Sequence, residues 1–303
     1  MTGIVVVSKP TGVTSFDVVA GVRRALRVRR VGHAGTLDPD AAGVLPVLVG
    51  EATKLMPYLV DQDKEYRVTA RFGTTTDTLD AGGRVLATVP VRGLSRAAIE
   101  AVVGRFLGRI RQVPPMYSAV HHEGHRLYEL ARQGVEVERK PREVVVHRIA
   151  IGEVTEETAA LTVICGKGTY VRVLVAELGQ ALGFGAVVER LVRTRVGPFG
   201  IADAVAWDEI RAGTPGLLSA QLCPPEAAVD GWPALRLGIE EATAFTHGQS
   251  VVAGARSAVS GFVRVHEPTG ALLGVGEVTA DGARVRPVRV LHVDRPGTRV
   301  LPA

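Results

Sequence analysis

The stretch VGHAGTLDPDAAGVLPVLVG, residues 31–50, concentrates the groups in this chain that could do chemistry. One histidine, His33, and two carboxylates, Asp38 and Asp40, sit among glycines and prolines. Asp38 precedes Pro39, a setting in which Asp commonly opens a turn or caps a helix. The other reading is that the turn exists to present the carboxylate, because tightly specified loops often carry function. Rival chemistries fit less well. Gly32-x-x-Gly35-Thr36 and Gly166-Lys167-Gly168-Thr169 lack the spacing of a phosphate loop, and no GxGxxG follows a strand. In HHEGH, His125 comes only three residues after His122 with Gly124 between them, whereas a zinc-binding HExxH helix needs four. No GxSxG occurs. A two-carboxylate glycosidase would need a second acid facing Asp38, and Pro39 leaves the direction of Asp40 open.

The elements that must position these groups can be read from periodicity. GIVVVSKPTG is a short buried strand stopped by Pro10 and Gly12. Thr14 then caps a helix, with Asp17 in its first turn, and Val18, Val19, Val22 and Leu26 follow at helical spacing. KEYRVTARFG (64–73) reads as a strand and SRAAIEAVVGRFLG (95–108) as a helix capped by Ser95. Residues 144–154 and 158–168 form a hairpin, 169–183 turn helical, 186–199 are strand or helix, and DAVAWDEIRAG is a short helix. Between them, 109–143 is a polar, proline-bearing excursion too long to be an ordinary connection. PPEAAVDGWP (224–233) has the composition of a linker, and short Val-rich strands with Gly turns follow it. Strands and helices do not alternate as regular βαβ units. An α+β fold with a mixed, largely antiparallel sheet is therefore expected, followed by a small β-rich domain.

The chain has 303 residues, 46 % of them hydrophobic, which excludes a disordered protein and allows one large core or two domains. A net charge of +5 says little, but its distribution says more. RRALRVRR (23–30) holds five arginines and no acid, and residues 105–148 carry nine Lys/Arg against five Glu, so both segments suit a phosphate backbone. Cys165 and Cys223 make no CxxC, which fits a reduced compartment. The apolar run Ile4 to Val7 is too short for a signal peptide, and no run approaches the ~20 residues of a membrane span. A soluble, cytoplasmic protein is expected.

GHAGTLDPDAAGVLPVLVGEATK closely resembles the signature block of the TruB family, the bacterial tRNA pseudouridine-55 synthases. Four further segments resemble the family in the same order: GIVVVSKPTGVTSFDVV, KEYRVTARFGTTTDTLDAGG, IRQVPPMYSAVHHEGHRLYELARQG and CGKGTYVRVLVAELGQALG. The resemblance implies a pseudouridine synthase catalytic domain over residues 1–228, with 109–143 as its RNA-gripping insertion, and a PUA-like RNA-binding domain over 233–303. It implies isomerisation of one uridine in the tRNA T-loop with no cofactor or metal. Asp38 becomes the catalytic aspartate, acting on the sugar as nucleophile or base. Tyr66 should stack on the flipped base, Tyr170 and Arg172 should line the site, and Leu191 should form an apolar wall. His33 should touch the T-loop and fill the space the base leaves, and Lys54 should meet phosphate. If KGTYVR is extended, Tyr170 and Arg172 share a face, and Arg172 can pair with Asp38. The insertion is expected to order on RNA, and the protein is expected to be a monomer. The family pattern DPxATG or DPxASG departs here to Asp38-Pro39-Asp40-Ala41-Ala42-Gly43: Ala42 removes one local hydrogen bond, and Asp40 adds a charge near phosphates. Two other readings compete: a sister synthase working on ribosomal RNA or with a guide RNA, and an RNA-binding chaperone of the tRNA elbow.

Overall fold

The computed structural model describes residues 1–213, 216–253 and 260–292. The first strand, β1 (Gly3–Lys9), is buried almost throughout, as its unbroken apolar run requires. Helix α1 (Ser15–Leu26) begins at Thr14 with a full capping box: the Thr14 side chain accepts from the Asp17 N–H, and the Asp17 carboxylate accepts from the Thr14 N–H. It buries Val18, Val19 and Val22 and leaves Arg23 and Arg24 exposed. Strands β2 (Val31–His33), β3 (Ala41–Val49) and β4 (Lys64–Phe72) follow. Helix α2 (Arg96–Val103) is capped by the Ser95 hydroxyl, which accepts from the Ala98 N–H. Then come β5 (Gly108–Gln112), the short helix α3 (Leu127–Arg132) within the excursion, and the hairpin β6 (Arg142–Val154) and β7 (Thr158–Cys165). Helix α4 (Val171–Ala181), strand β8 (Ala186–Val196) and the short β9 (Val205–Ala206) complete the first part.

These strands make one ten-stranded sheet in the order β9–β1–β3–β8–β4–β7–β6–β5, with β2 on β3 and the pair Phe199–Gly200 on β8. The contacts β1/β9 and β3/β8 are parallel and the rest antiparallel, so the sheet is mixed and largely antiparallel, as expected. The segment 186–196, left open between strand and helix, is a central strand, because both its faces are covered. One core lies between the sheet and α4, built on Phe72, Val163, Leu174 and Leu178; a second packs α1 on the other end, around Val7, Val22 and Leu45.

After residue 233 a separate five-stranded sheet forms: β10 (Ala234–Arg236), β11 (Val251–Val252), β12 (Gly261–His266), β13 (Leu272–Val278) and β14 (Arg284–Val290), in the order β10–β12–β13–β14–β11. The region is β-rich, as expected, and holds a helix besides its strands. IEEATAFT is a helix, α5 (Ile239–Thr246), whose Ala242 and Phe245 seal one face of the small sheet. The last residues of the 233–303 span lie outside the described part. No described helix is long and apolar enough to cross a membrane.

Candidate active site

Asp38 sits in the loop between β2 and β3, and its neighbours are gripped from three directions. The buried Ser15 hydroxyl, at the start of α1, donates to Leu37 O at 3.1 Å and accepts from the Leu37 N–H at 2.9 Å. Pro39 O accepts from the Gly12 N–H at 2.9 Å and from Lys9 Nζ at 3.1 Å. Lys9 is 1 % exposed, and its ammonium also serves Pro10 O and Val13 O. Arg193, in β8, donates to Val44 O at 2.8 Å, Gly35 O at 3.0 Å and Thr36 O at 3.4 Å. Gly43 lets β3 lie this close to β8: its φ is +108°, and a Cβ there would stand 2.1 Å from Arg193 O. The glycine is needed on both counts.

Across this loop stands Arg172. Its side chain is 6 % exposed and its Nη2 lies 2.9 Å from Asp38 Oδ2, while the Asp38 side chain is 40 % exposed. The cation is thus buried and the carboxylate open to a substrate. Arg172 also donates to Thr78 O at 2.6 Å and Tyr117 O at 2.7 Å, and its Nη1 lies 3.6 Å from Asp80 Oδ2. Asp80 is fixed in turn by the Thr78 hydroxyl at 2.6 Å and the Gly82 N–H at 3.2 Å. Both Nη groups of this guanidinium are therefore directed, which sets the position of its carboxylate partner.

The segment 169–183 is helical as read from sequence, so the condition of an extended KGTYVR is not met. Tyr170 is the N-cap of α4, and Arg172 lies in the first helical turn, because Val171, Leu174 and Leu178 bury at helical spacing. The residues still converge: Asp38, Tyr66, Tyr170, Arg172, Leu191 and Arg193 line one cavity of about 560 Å³. Leu191 reaches it because β8 runs parallel to β3 with Leu191 opposite Ala41. Burial raises the pKa of both Tyr66 and Tyr170, so each stays a neutral phenol. Desolvation lowers Lys9 and Lys64 to about 8, against opposing pulls from nearby carboxylates.

Two residues named from sequence stand elsewhere. His33 is at the end of β2, behind the loop; burial, then the charge of Arg193, hold its imidazole below the usual range. Lys54 is outside the cavity lining. Its ammonium donates to Val290 O at 2.7 Å and pairs with Glu51 at 2.5 Å, and Glu51 also accepts from the His292 N–H. It joins the two sheets' domains. HHEGH forms a tight hairpin turn, with His121 opposite Arg126 and positive φ at Glu123 and Gly124, and His121 reaches the cavity. Among the described residues no group of His, Cys, Asp and Glu is arranged to hold a metal ion. Sequence reading missed Ser15, Lys9, Asp80 and Arg193; only Asp80, in the turn-rich TDTLDAGG, carried a local signal.

Residues 23–171 match the TruB family pseudouridylate synthase N-terminal domain, 172–230 the tRNA pseudouridylate synthase B C-terminal domain, and 233–291 the C-terminal domain of pseudouridine synthase II TruB. The chain is 43 % identical over 296 residues to tRNA pseudouridine synthase B of Pseudomonas fluorescens strain Pf-5, covering 96 % of both chains. It is 41 % identical to the Nitrosococcus oceani protein of the same name, covering 95 % of this chain and 94 % of that one. Its fold superposes on a chain of a Cbf5-Nop10-Gar1 complex with a TM-score of 0.74 at 26 % identity, over 95 % of this chain and 84 % of that one. The carboxylate framed by Arg172, the cavity around it with Tyr66, Tyr170 and Leu191 in its wall, and these matches along nearly the whole length agree: the chain belongs to the TruB family of pseudouridylate synthases.

Proposed function

We propose that this chain converts uridine 55 of the tRNA T-loop to pseudouridine, with Asp38 as the group that acts on the ribose. The observation that carries the reading is the Asp38–Arg172 pair: an open carboxylate held by a buried cation, in a cavity walled by Tyr66, Tyr170 and Leu191. The relatives named tRNA pseudouridine synthase B support tRNA as the substrate. In the reaction the N1–C1′ bond breaks, the uracil turns, C5 bonds to C1′, and the C5 proton is lost while N1 gains one. The position of Asp38 serves attack at C1′ or removal of a sugar proton. A paired base must leave its stack to reach this cavity, at a cost of a few kcal/mol, and the Tyr66 ring partly compensates by stacking. Arginines on α1 and on the excursion hold the backbone, with His33 in the elbow; the chain acts as a monomer without added metal or cofactor.

The test is tritium release from [5-³H]uridine-labelled, unmodified tRNA transcripts, in EDTA. Release is expected from a transcript with U55 and not from one with cytidine there. Asp38→Asn should abolish release yet keep tRNA binding, and binding should weaken steeply with salt. Release without U55, or none unless a guide RNA is added, sinks the assignment; the second outcome would favour a guide-dependent sister enzyme. Sedimentation velocity checks the monomer.

A further inference from the structure

Gln112 stands where the excursion leaves the sheet. It is the last residue of β5 and pairs with Arg142, the first of β6. Its side chain is turned inward, with the residue 1 % exposed. The carboxamide meets both backbone groups of Tyr170: the Tyr170 N–H donates to Gln112 Oε1 at 2.9 Å, and Gln112 Nε2 donates to Tyr170 O at 3.3 Å. A neighbouring strand would supply the same pair of bonds; here one side chain does so.

Tyr170 has no capping side chain of its own, and its carbonyl is the first acceptor of α4, taking the Leu174 N–H at 3.1 Å. Gln112 therefore fixes the residue from which the helix springs. On one side of that point is the Tyr170 ring in the cavity wall, and two residues on is Arg172 against Asp38. Five residues after Gln112, Tyr117 O accepts directly from Arg172. The root of the excursion thus holds both Tyr170 and Arg172. A buried amide suits the place because it carries a donor and an acceptor without charge; an apolar side chain would leave the Tyr170 N–H unpaired.

We propose that Gln112 is a positioning residue for the isomerisation, holding Tyr170 and Arg172 in register with Asp38 and tying their placement to the root of the RNA-gripping excursion. The inference rests on the function proposed above. It is tested by single-turnover tritium release and tRNA binding for the wild type, Gln112→Met and Gln112→Glu. The Met variant should lose about tenfold or more in the single-turnover rate, with tRNA affinity within about threefold. The Glu variant keeps the acceptor for the Tyr170 N–H and should fall between the two. Combined with Arg172→Lys, the loss from Gln112→Met should be less than multiplicative, because both act through one arrangement. A Met variant with the wild-type rate, a loss confined to affinity, or a multiplicative double variant overturns the inference. If the Met variant melts below the assay temperature, the Glu variant decides alone, and a wild-type rate there overturns it. An inactive wild type overturns the proposed function itself, whereas an active wild type with unaltered variants overturns only the role of Gln112.

Discussion

The loop that carries Asp38 and the excursion that overhangs it differ in where their hydrogen bonds go. Along 35–39 the backbone is held by Ser15, Gly12, Lys9 and Arg193, three of them through buried side chains far away in sequence. Along 113–141 the bonds are mostly internal: Tyr128 N–H to Ser118 O, Leu127 N–H to Val120 O, Arg126 to Ala119 O and Arg139 to Glu136. Its link to the cavity runs through Tyr117 O and, at its root, Gln112. The loop of Asp38 is immobilised by the core of the domain, as the role proposed for its carboxylate requires. The excursion keeps its own local structure and hangs from its base, an arrangement that under the proposed function suits a segment closing on RNA.

The contrast can be broken most severely at Gly43. Gly43→Ala puts a Cβ against the backbone of Arg193 at a positive φ. It should cost at least about 3 kcal/mol in urea denaturation, since neither strand can yield without parting β3 from β8. Ser15→Ala removes both bonds to Leu37 and should cost about 1–2 kcal/mol, while lowering the single-turnover rate more than it weakens tRNA binding; an unchanged rate would show that the loop holds without it.

The lysine in this clamp gives a pH signature. Lys9 titrates near 8 in the folded protein and at its ordinary value of 10.5 when unfolded. Below pH 8 it is protonated in both states and contributes no slope. Between 8 and 10.5 the unfolded chain binds a proton that the folded one does not, so this group makes stability rise with pH. The urea midpoint of the wild type should therefore climb relative to Lys9→Met across that window; a flat or falling difference contradicts the assignment. The smallest effect belongs to the excursion. Lys140→Ala, at an exposed position, should change stability by less than about 0.5 kcal/mol, yet lower the salt slope of tRNA binding by about 1. A stability loss as large as that of Ser15→Ala would erase the distinction between the two regions.

Much of this arrangement is written locally. Thr14 and Asp17 announce the start of α1, Ser95 that of α2, and apolar alternation marks β6 and β7. The turn around Asp38 is visible in Gly35, Pro39 and Gly43, and the family resemblance brings Tyr66, Tyr170, Arg172 and Leu191 to one cavity, where the structure also places them. What stayed hidden are side chains that bond to backbone across long separations: Arg193 to Gly35, Lys9 to Pro39 and Gln112 to Tyr170. Such bonds create no period and need no partner nearby, so an arginine in ERLVRTRV looks like any polar position of a strand. The bond of Lys54 to Val290 was hidden for the same reason, because its acceptor lies 236 residues away. The helix read over 169–183 is present and begins at Val171, where no capping side chain marks the boundary.

Strand β3 begins three residues after Asp38 and runs without interruption into the Gly50–Leu55 turn, where Glu51 and Lys54 grip the C-terminal domain. Eight steps of extended chain at ~3.3 Å put these two ends about 25 Å apart. The protein is in this sense a caliper: the reactive carboxylate is one jaw, the C-terminal domain is mounted on the other, and a central strand is the bar between them. Under the function proposed above, an RNA that touched both ends of this strand would span that distance.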